Sequence, residues 1–240
     1  MRCVITFHAI DDGPGPLSYP AAGLARMLEA FAEAGVPVLS LPDLLAPETR
    51  RGVALTFDDG MASLHDAALP VLRDHQAPAH LFLTTGAVGG DNNWYGQPRG
   101  AAGHAMLSWR QIETLHAAGV FIEAHTASHP DLRALDAPAI EAEMAAADQA
   151  IEQRLGRRPR YFAYPYGRHS PAAAQAARAR YAASFTTELA FLRDGDAAER
   201  LPRLDSHYLR SPGLLRALPS APARAYIGLR HAVRALRGRQ

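Results

Sequence analysis

The feature that most constrains this chain is an alternation of short apolar runs with helical segments, repeated about six times. Apolar runs fall at 3–9, 53–57, 79–84, 120–122, 161–164 and 182–186. Segments with helical spacing of apolar residues fall between them, at 21–34, 62–75, 108–119, 138–155 and 172–180. Each unit is long enough for a right-handed crossover between parallel strands, and runs without polar alternation suit strands covered on both faces. Val36–Leu39 reads as one further short strand, and Ser108 with Gln111 forms a capping box at a helix start. The pattern predicts a single α/β domain. A closed, barrel-like sheet is favoured over an open doubly wound one, although periodicity alone does not separate them. The boundary is set at residue 210, with 211–240 a basic helical tail.

Composition narrows the class. With 25 basic residues, 24 acidic residues and a net charge of +1, no global field points to nucleic acid. The lone Cys3 excludes an internal disulfide and suits a buried strand. No leader-like segment and no apolar run near ~20 residues is present, so a cytoplasmic protein is expected, with peripheral membrane association as an option. After Asp205 no acidic residue follows. In the tail Tyr226, Leu229, Val233 and Leu236 form an apolar stripe beside Arg230, Arg234 and Arg237. Such a helix either packs on the domain or docks on an anionic membrane surface.

Three short stretches carry chemistry. Val53-Ala54-Leu55-Thr56-Phe57 runs into Asp58-Asp59-Gly60, and alternation along a strand gives the two carboxylates different directions and different tasks. Glu123-Ala124-His125-Thr126-Ala127-Ser128-His129-Pro130 follows another strand and offers two imidazoles four residues apart. One carboxylate with two imidazoles suits Zn²⁺ and leaves coordination positions open. The third stretch, Arg160 to Gly167, ends a strand in Pro165-Tyr166-Gly167, a stiff turn able to aim the Tyr166 N–H at an oxyanion. All three lie at carboxyl ends of strands, where sites assemble in α/β proteins.

Taken in this order and spacing, Thr-Phe-Asp-Asp-Gly, His-Thr-x-x-His and Phe-x-Tyr-Pro-Tyr-Gly resemble the polysaccharide deacetylase family with its NodB-type domain. The likeness extends over Phe7-His8-x-Ile10, Leu107-Ser108-Trp109, Ala118-Gly119 and Ser184-Phe185-Thr186-Thr187, and spans about residues 2–205. It implies a distorted (β/α) barrel and metal-dependent removal of an N-acetyl group from an amino sugar. It also implies that Asp59, His125 and His129 hold a divalent metal, most simply Zn²⁺, and that Asp58 is the general base. Thr126 and Ser128 are expected to buttress the histidine turn.

This chain departs from the family pattern at two positions. The third motif carries Ala163 where an arginine often orients the base, which leaves Arg160 or Arg203 to support Asp58. Glu123 stands where glycine is usual, either accepting from a metal-binding imidazole or pointing outward. The resemblance assigns protonation of the leaving amine to His207, with Asp205 orienting it. His8 reads as a structural histidine at the same mouth. Trp94 and Tyr95, in the long loop at 85–105, are candidates for a sugar platform or a loop anchor, whereas Trp109 reads as core. The expected partner is an N-acetylated sugar or glycan, such as a carrier-linked intermediate in surface polysaccharide assembly. Hydrolysis of a non-sugar amide and non-catalytic sugar binding are the competing readings.

Overall fold

The structure is a computed structural model describing residues 1–94, 97, 101 and 103–237, with backbone alone at 234–237. β1 (Arg2–Phe7) leads into a small parallel pair, β2 (Ala9–Ile10) and β3 (Ser18–Tyr19), and then α1 (Ala21–Glu33) and α2 (Leu41–Leu45). β4 (Gly52–Asp59), α3 (Leu69–Asp74), β5 (Ala79–Leu83), α4 (Trp109–Ala117), β6 (Phe121–Ala124) and α5 (Ala137–Leu155) follow. β7 (Tyr161–Ala163), α6 (Pro171–Arg180), β8 (Ala183–Phe185), β9 (Leu204–Asp205), α7 (Pro212–Ala217) and α8 (Ala221–Arg237) complete the chain. One all-parallel, seven-stranded sheet runs in the order β8-β7-β6-β5-β4-β1-β9. It curls into a distorted half-barrel with helices outside, as the alternation predicts.

Residue parity along the strands separates two cores. Cys3, Ile5, Phe7, Val53, Leu55, Phe57, Leu81, Leu83, Ile122 and Ala124 pack outward under the helices in the main core. Burial there pushes the Cys3 thiol up to about 12, so it stays protonated. Val4, Ala54, Phe82, Tyr161, Ala163, Ala183 and Phe185 form a smaller cluster inside the curl, joined by Leu41 and Leu44 of α2. The curl closes through the segment between β8 and β9. Leu201 N–H donates to the Ser184 carbonyl (2.8 Å), and Thr186 N–H donates to the Leu201 carbonyl (2.9 Å). β9 then pairs with β1. Arg203 sits on this seam and is 1% exposed.

Several elements differ from expectation. Val36–Leu39 contributes only one bridge, Val38 to Val53, because residues around it pack as the loop into α2. The expected helix at 62–75 divides into a π-helical turn, Leu64–Ala68, and α3, with Pro70 at the start of α3. In the tail, Ala223 and Ile227 form the buried face of α8, while Leu229 is 64% exposed and Tyr226 half-exposed. Among the described side chains the tail thus packs through Leu215, Leu218 and Ile227, which join the main core, while those of Arg234, Leu236 and Arg237 lie outside the described residues. Among the described residues no helix is long and apolar enough to cross a membrane, and nothing identifies a membrane as the partner of the exposed Leu229.

Glu123 is fully buried inside the curl, where it neither points outward nor accepts from a site imidazole. Its Oε2 accepts from the Arg160 N–H (2.7 Å) and the Tyr161 N–H (3.0 Å), satisfying the start of β7. Oε1 lies 3.5 Å from His80 Nδ1 and 3.6 Å from Arg157. His80 Nε2 accepts from the Leu41 N–H (2.9 Å), so the His80 proton is on Nδ1 and the ring is held neutral. Burial pushes the His80 pKa below its ordinary value of 6.5, against the pull of Glu123. The unfolded chain therefore binds a proton here that the folded chain does not. This contribution to stability is complete above pH 6.5 and lost as pH falls toward the lowered folded value, at up to ~1.4 kcal/mol per pH unit. In urea titrations, the stability difference between the native chain and His80→Gln should shrink from pH 7 to pH 5. A constant difference would show that His80 does not titrate on unfolding.

Candidate metal centre and active site

The site lies at the carboxyl end of the curled sheet. Asp58 follows the parity of β4 and faces inward beneath the seam. Strict alternation would send Asp59 to the outer face, but its φ of 72° turns the strand end back and brings its carboxylate into the mouth. The two adjacent acids therefore meet different partners, as their neighbouring positions imply.

Asp59 faces the two histidines. Its Oδ1 lies 3.4 Å from His125 Nε2 and 3.3 Å from His129 Nε2. Neither contact has hydrogen-bond geometry, so Asp59 Oδ1 is a buried acceptor without a hydrogen bond. His125 continues the inward row of β6, and its Nδ1 is 2.7 Å from the Ala163 carbonyl. A carbonyl only accepts, so Nδ1 carries a proton, and in the neutral ring Nε2 presents its lone pair toward Asp59. One donor atom from each of Asp59, His125 and His129 lies within 4.8 Å of the others, all buried. Converging lone pairs around an unsatisfied carboxylate oxygen are a fitting donor set for a divalent cation.

Electrostatics agree with that fit. Burial pushes the Asp59 carboxyl up, while proton-bearing imidazoles at His125 and His129, with a further pull from His8, draw it well below the usual range; with neutral rings a bound cation would supply that pull. Burial lowers the His129 pKa despite Asp59, favouring the neutral imidazole that binds metal.

Asp58 has a separate environment. Arg203 grips it with two 2.7 Å bonds, Nη1 to Oδ1 and Nη2 to Oδ2. The guanidinium is fixed in turn by Nε donating to the Thr186 carbonyl (3.0 Å) and by packing over Phe82. Burial raises the Asp58 carboxyl, but the Arg203 charge, then His125, the Arg203 hydrogen bonds and His8 outweigh it and hold it below its ordinary value. Of the two arginines considered for this place, Arg160 is engaged elsewhere: its guanidinium lies over the Tyr161 ring.

The aromatic wall is partly as expected. Trp94 packs on His129 (centroids 4.4 Å apart), and the Tyr166 ring meets His129 edge-on at 4.6 Å. Tyr166 takes a left-handed φ of 58° within the Pro165–Gly167 turn. Tyr95 lies outside the described residues. Trp109 packs against the main core. His207 is exposed, and Asp205 accepts from its backbone N–H (2.9 Å), capping a short turn; no bond joins Asp205 to the His207 ring. His207 is not among the groups that shift Asp58, Asp59 or His129, whereas His8 acts on all three. The Phe7-His8 pair at the end of β1 was the signal available for it in the sequence. Glu123 does not support His125; the Ala163 carbonyl takes that place.

Comparison with known proteins agrees with this geometry. The polysaccharide deacetylase family matches residues 46–182, more than half of the chain. The chain belongs to the polysaccharide deacetylase family. A chitin deacetylase from Pestalotiopsis sp is 32% identical over 114 residues, 47% of this chain and 33% of the relative. A chitooligosaccharide deacetylase from Rhizobium leguminosarum bv. trifolii is 33% identical over 102 residues, 42% of this chain and 40% of the relative. The chain thus spans less than half the length of these curated relatives. In fold it is similar to the Streptococcus pyogenes deacetylase PplD, solved in complex with acetate, with a TM-score of 0.77 at 24% identity over 91% of this chain and 96% of that one. IcaB from Ammonifex degensii gives a TM-score of 0.75 at 24% identity, covering 90% and 97%. The family match includes Asp58, Asp59, His125 and His129, and leaves His8 and Arg203 outside it.

If Asp59, His125 and His129 form one metal centre, His125→Ala and His129→Ala should each lose most bound divalent metal, measured by elemental analysis after dialysis. Unchanged metal content in either variant would remove that histidine from the ligand set.

Proposed function

We propose that this chain hydrolyses the N-acetyl group of an amino sugar in a surface polysaccharide or glycoconjugate intermediate. Asp59, His125 and His129 would hold a divalent cation, with Zn²⁺ the best match to a carboxylate and two imidazoles. The observation that carries the reading is the pairing of that donor set with a second, separately buried carboxylate, Asp58, clamped by Arg203. When bound, such a cation polarises the acetyl carbonyl and acidifies water.

The chain's own residues supply the remaining chemistry. Asp58, kept ionised by Arg203, takes a proton from the attacking water as its oxygen adds to the acetyl carbon. The Tyr166 N–H is assigned to the developing oxyanion, and Pro165 stiffens the turn that presents it. The C–N bond then breaks, acetate leaves, and the amine takes a proton. We assign that proton to His8, which stands at the carboxyl end of β1, the strand beside β4, with His207 as the alternative donor. Trp94 forms one wall against His129 and offers an apolar edge to a sugar ring. A module that only binds sugar has no need of an ionised base clamped beside the donor set, so the Asp58–Arg203 pair favours an enzyme.

Asp58→Asn should retain metal and lose ~10²–10⁴-fold in turnover, measured as acetate release from N-acetyl-glucosamine oligomers. Retained turnover there would place the base elsewhere. Arg203→Met removes the charge that holds the Asp58 carboxyl down, so the acid limb of the pH–rate profile should move to higher pH. An unmoved limb would separate Arg203 from the titration of the base. Finally, His8→Ala should slow acetate release by at least ~10²-fold while His207→Ala stays near the native rate. The reverse order would return the proton donor to His207.

A further inference from the structure

Glu143 lies on α5, outside the three motifs, yet its carboxylate reaches the turn between the two site histidines. Oε2 accepts from the Ala127 N–H (3.0 Å) and the Ser128 N–H (2.9 Å), and Oε1 accepts from the Ser128 hydroxyl (2.7 Å). That turn has a conformation which needs outside support. Thr126 (φ 67°) and His129 (φ 59°) are both left-handed without being glycine. Such residues persist only where the surroundings over-determine them.

The opposite side of the turn is gripped as well. Gly86 N–H donates to the Ala127 carbonyl (2.8 Å), and Thr85 N–H donates to the Thr126 carbonyl (3.3 Å). A Cβ on Gly86 would stand 2.6 Å from the Ala127 oxygen, so the approach requires glycine. Inside the turn, Thr126 Oγ1 accepts from the His129 N–H (3.1 Å). Residues 126–128 are thus clasped between the segment after β5 and the carboxylate of α5.

We propose that Glu143 is a positioning residue for the metal centre. Its three hydrogen bonds set the backbone between His125 and His129, and so hold both Nε2 atoms within reach of Asp59. This rests on the reading that Asp59, His125 and His129 bind a divalent ion. It locates part of the metal affinity in a helix that supplies no ligand. The mechanism is geometric: acceptor oxygens at the end of a side chain of the right length, with the charge incidental.

The test is Zn²⁺ affinity of the full chain, stripped of metal and titrated in competition with a chromophoric chelator, so that no turnover is read. Glu143→Gln keeps the length, and its amide oxygen can accept both backbone N–H groups while its NH₂ donates to the Ser128 hydroxyl. Glu143→Asp keeps the charge but draws the oxygens back by one carbon. Glu143→Ala and Glu143→Asp should weaken Zn²⁺ binding by about 10–100-fold, the range for outer-shell partners of ligands, and Glu143→Gln should restore most of the affinity. Should the alanine variant fail to fold, the Gln and Asp pair decides by itself. Native affinity in Glu143→Asp, or a greater loss in Glu143→Gln than in Glu143→Asp, would overturn the proposal while leaving the metal reading intact. A native chain that binds no Zn²⁺ would overturn both.

Discussion

Two carboxylates buried side by side at the end of one strand strongly disfavour folding unless each finds its own compensation, since a buried unpaired charge is far costlier than a buried pair. Asp58 and Asp59 are 3% exposed each, and the architecture of the mouth follows from meeting that demand twice. Asp58 receives the bidentate guanidinium of Arg203 from across the seam. Asp59 receives two imidazoles from the turn after β6. The difference in partners is also the difference in chemistry. One carboxylate is held ionised by a permanent cation that cannot leave, and the other faces imidazoles whose lone pairs converge with its own.

The seam that closes the curl is consequently more than a structural convenience. The backbone of residues 201–204 joins β8 to β1, and the same segment delivers Arg203 into the interior. The inner face of the strands is thin there, with Val4, Ala54, Ala163 and Ala183, which leaves room for a full guanidinium over Phe82. Ala163 adds to that room: its side chain is small, and its carbonyl holds the His125 ring. Charge compensation for Asp58 comes instead from Arg203, on the segment between β8 and β9.

Deeper inside the curl, a second polar layer of His80, Glu123 and the amides of Arg160 and Tyr161 connects β5, β6 and β7 below Asp59, His125 and His129. Glu123 shares the inward face with His125, as alternation requires. The carboxylate nevertheless turns to the N–H groups that open β7 and satisfies both. The aromatic and histidine turns above are built on left-handed residues at Asp59, Thr126, His129 and Tyr166. These cluster at the site and are absent from the strand interiors, which places backbone strain where side chains must be aimed against the regular period.

The sequence by itself determined the parallel α/β architecture, because the alternation of apolar runs and helical segments is a local property of the chain. It also determined the triad as candidates and Asp58 as a distinct acid, since adjacency and a four-residue spacing are written in the order of the residues. Strand parity alone puts Glu123 on the face of His125 and Asp58 on the inner face, whereas Asp59 enters the mouth only through its left-handed φ. Only the tertiary structure chose Arg203 over Arg160, set the end of β1 with His8 beside β4, and joined Glu143 to the histidine turn. Those pairs are separated by many residues along the chain, 145 in the case of Arg203 and Asp58. Such contacts depend on which strands close the curl and on which side chains fit the space left inside it, and no local pattern records either.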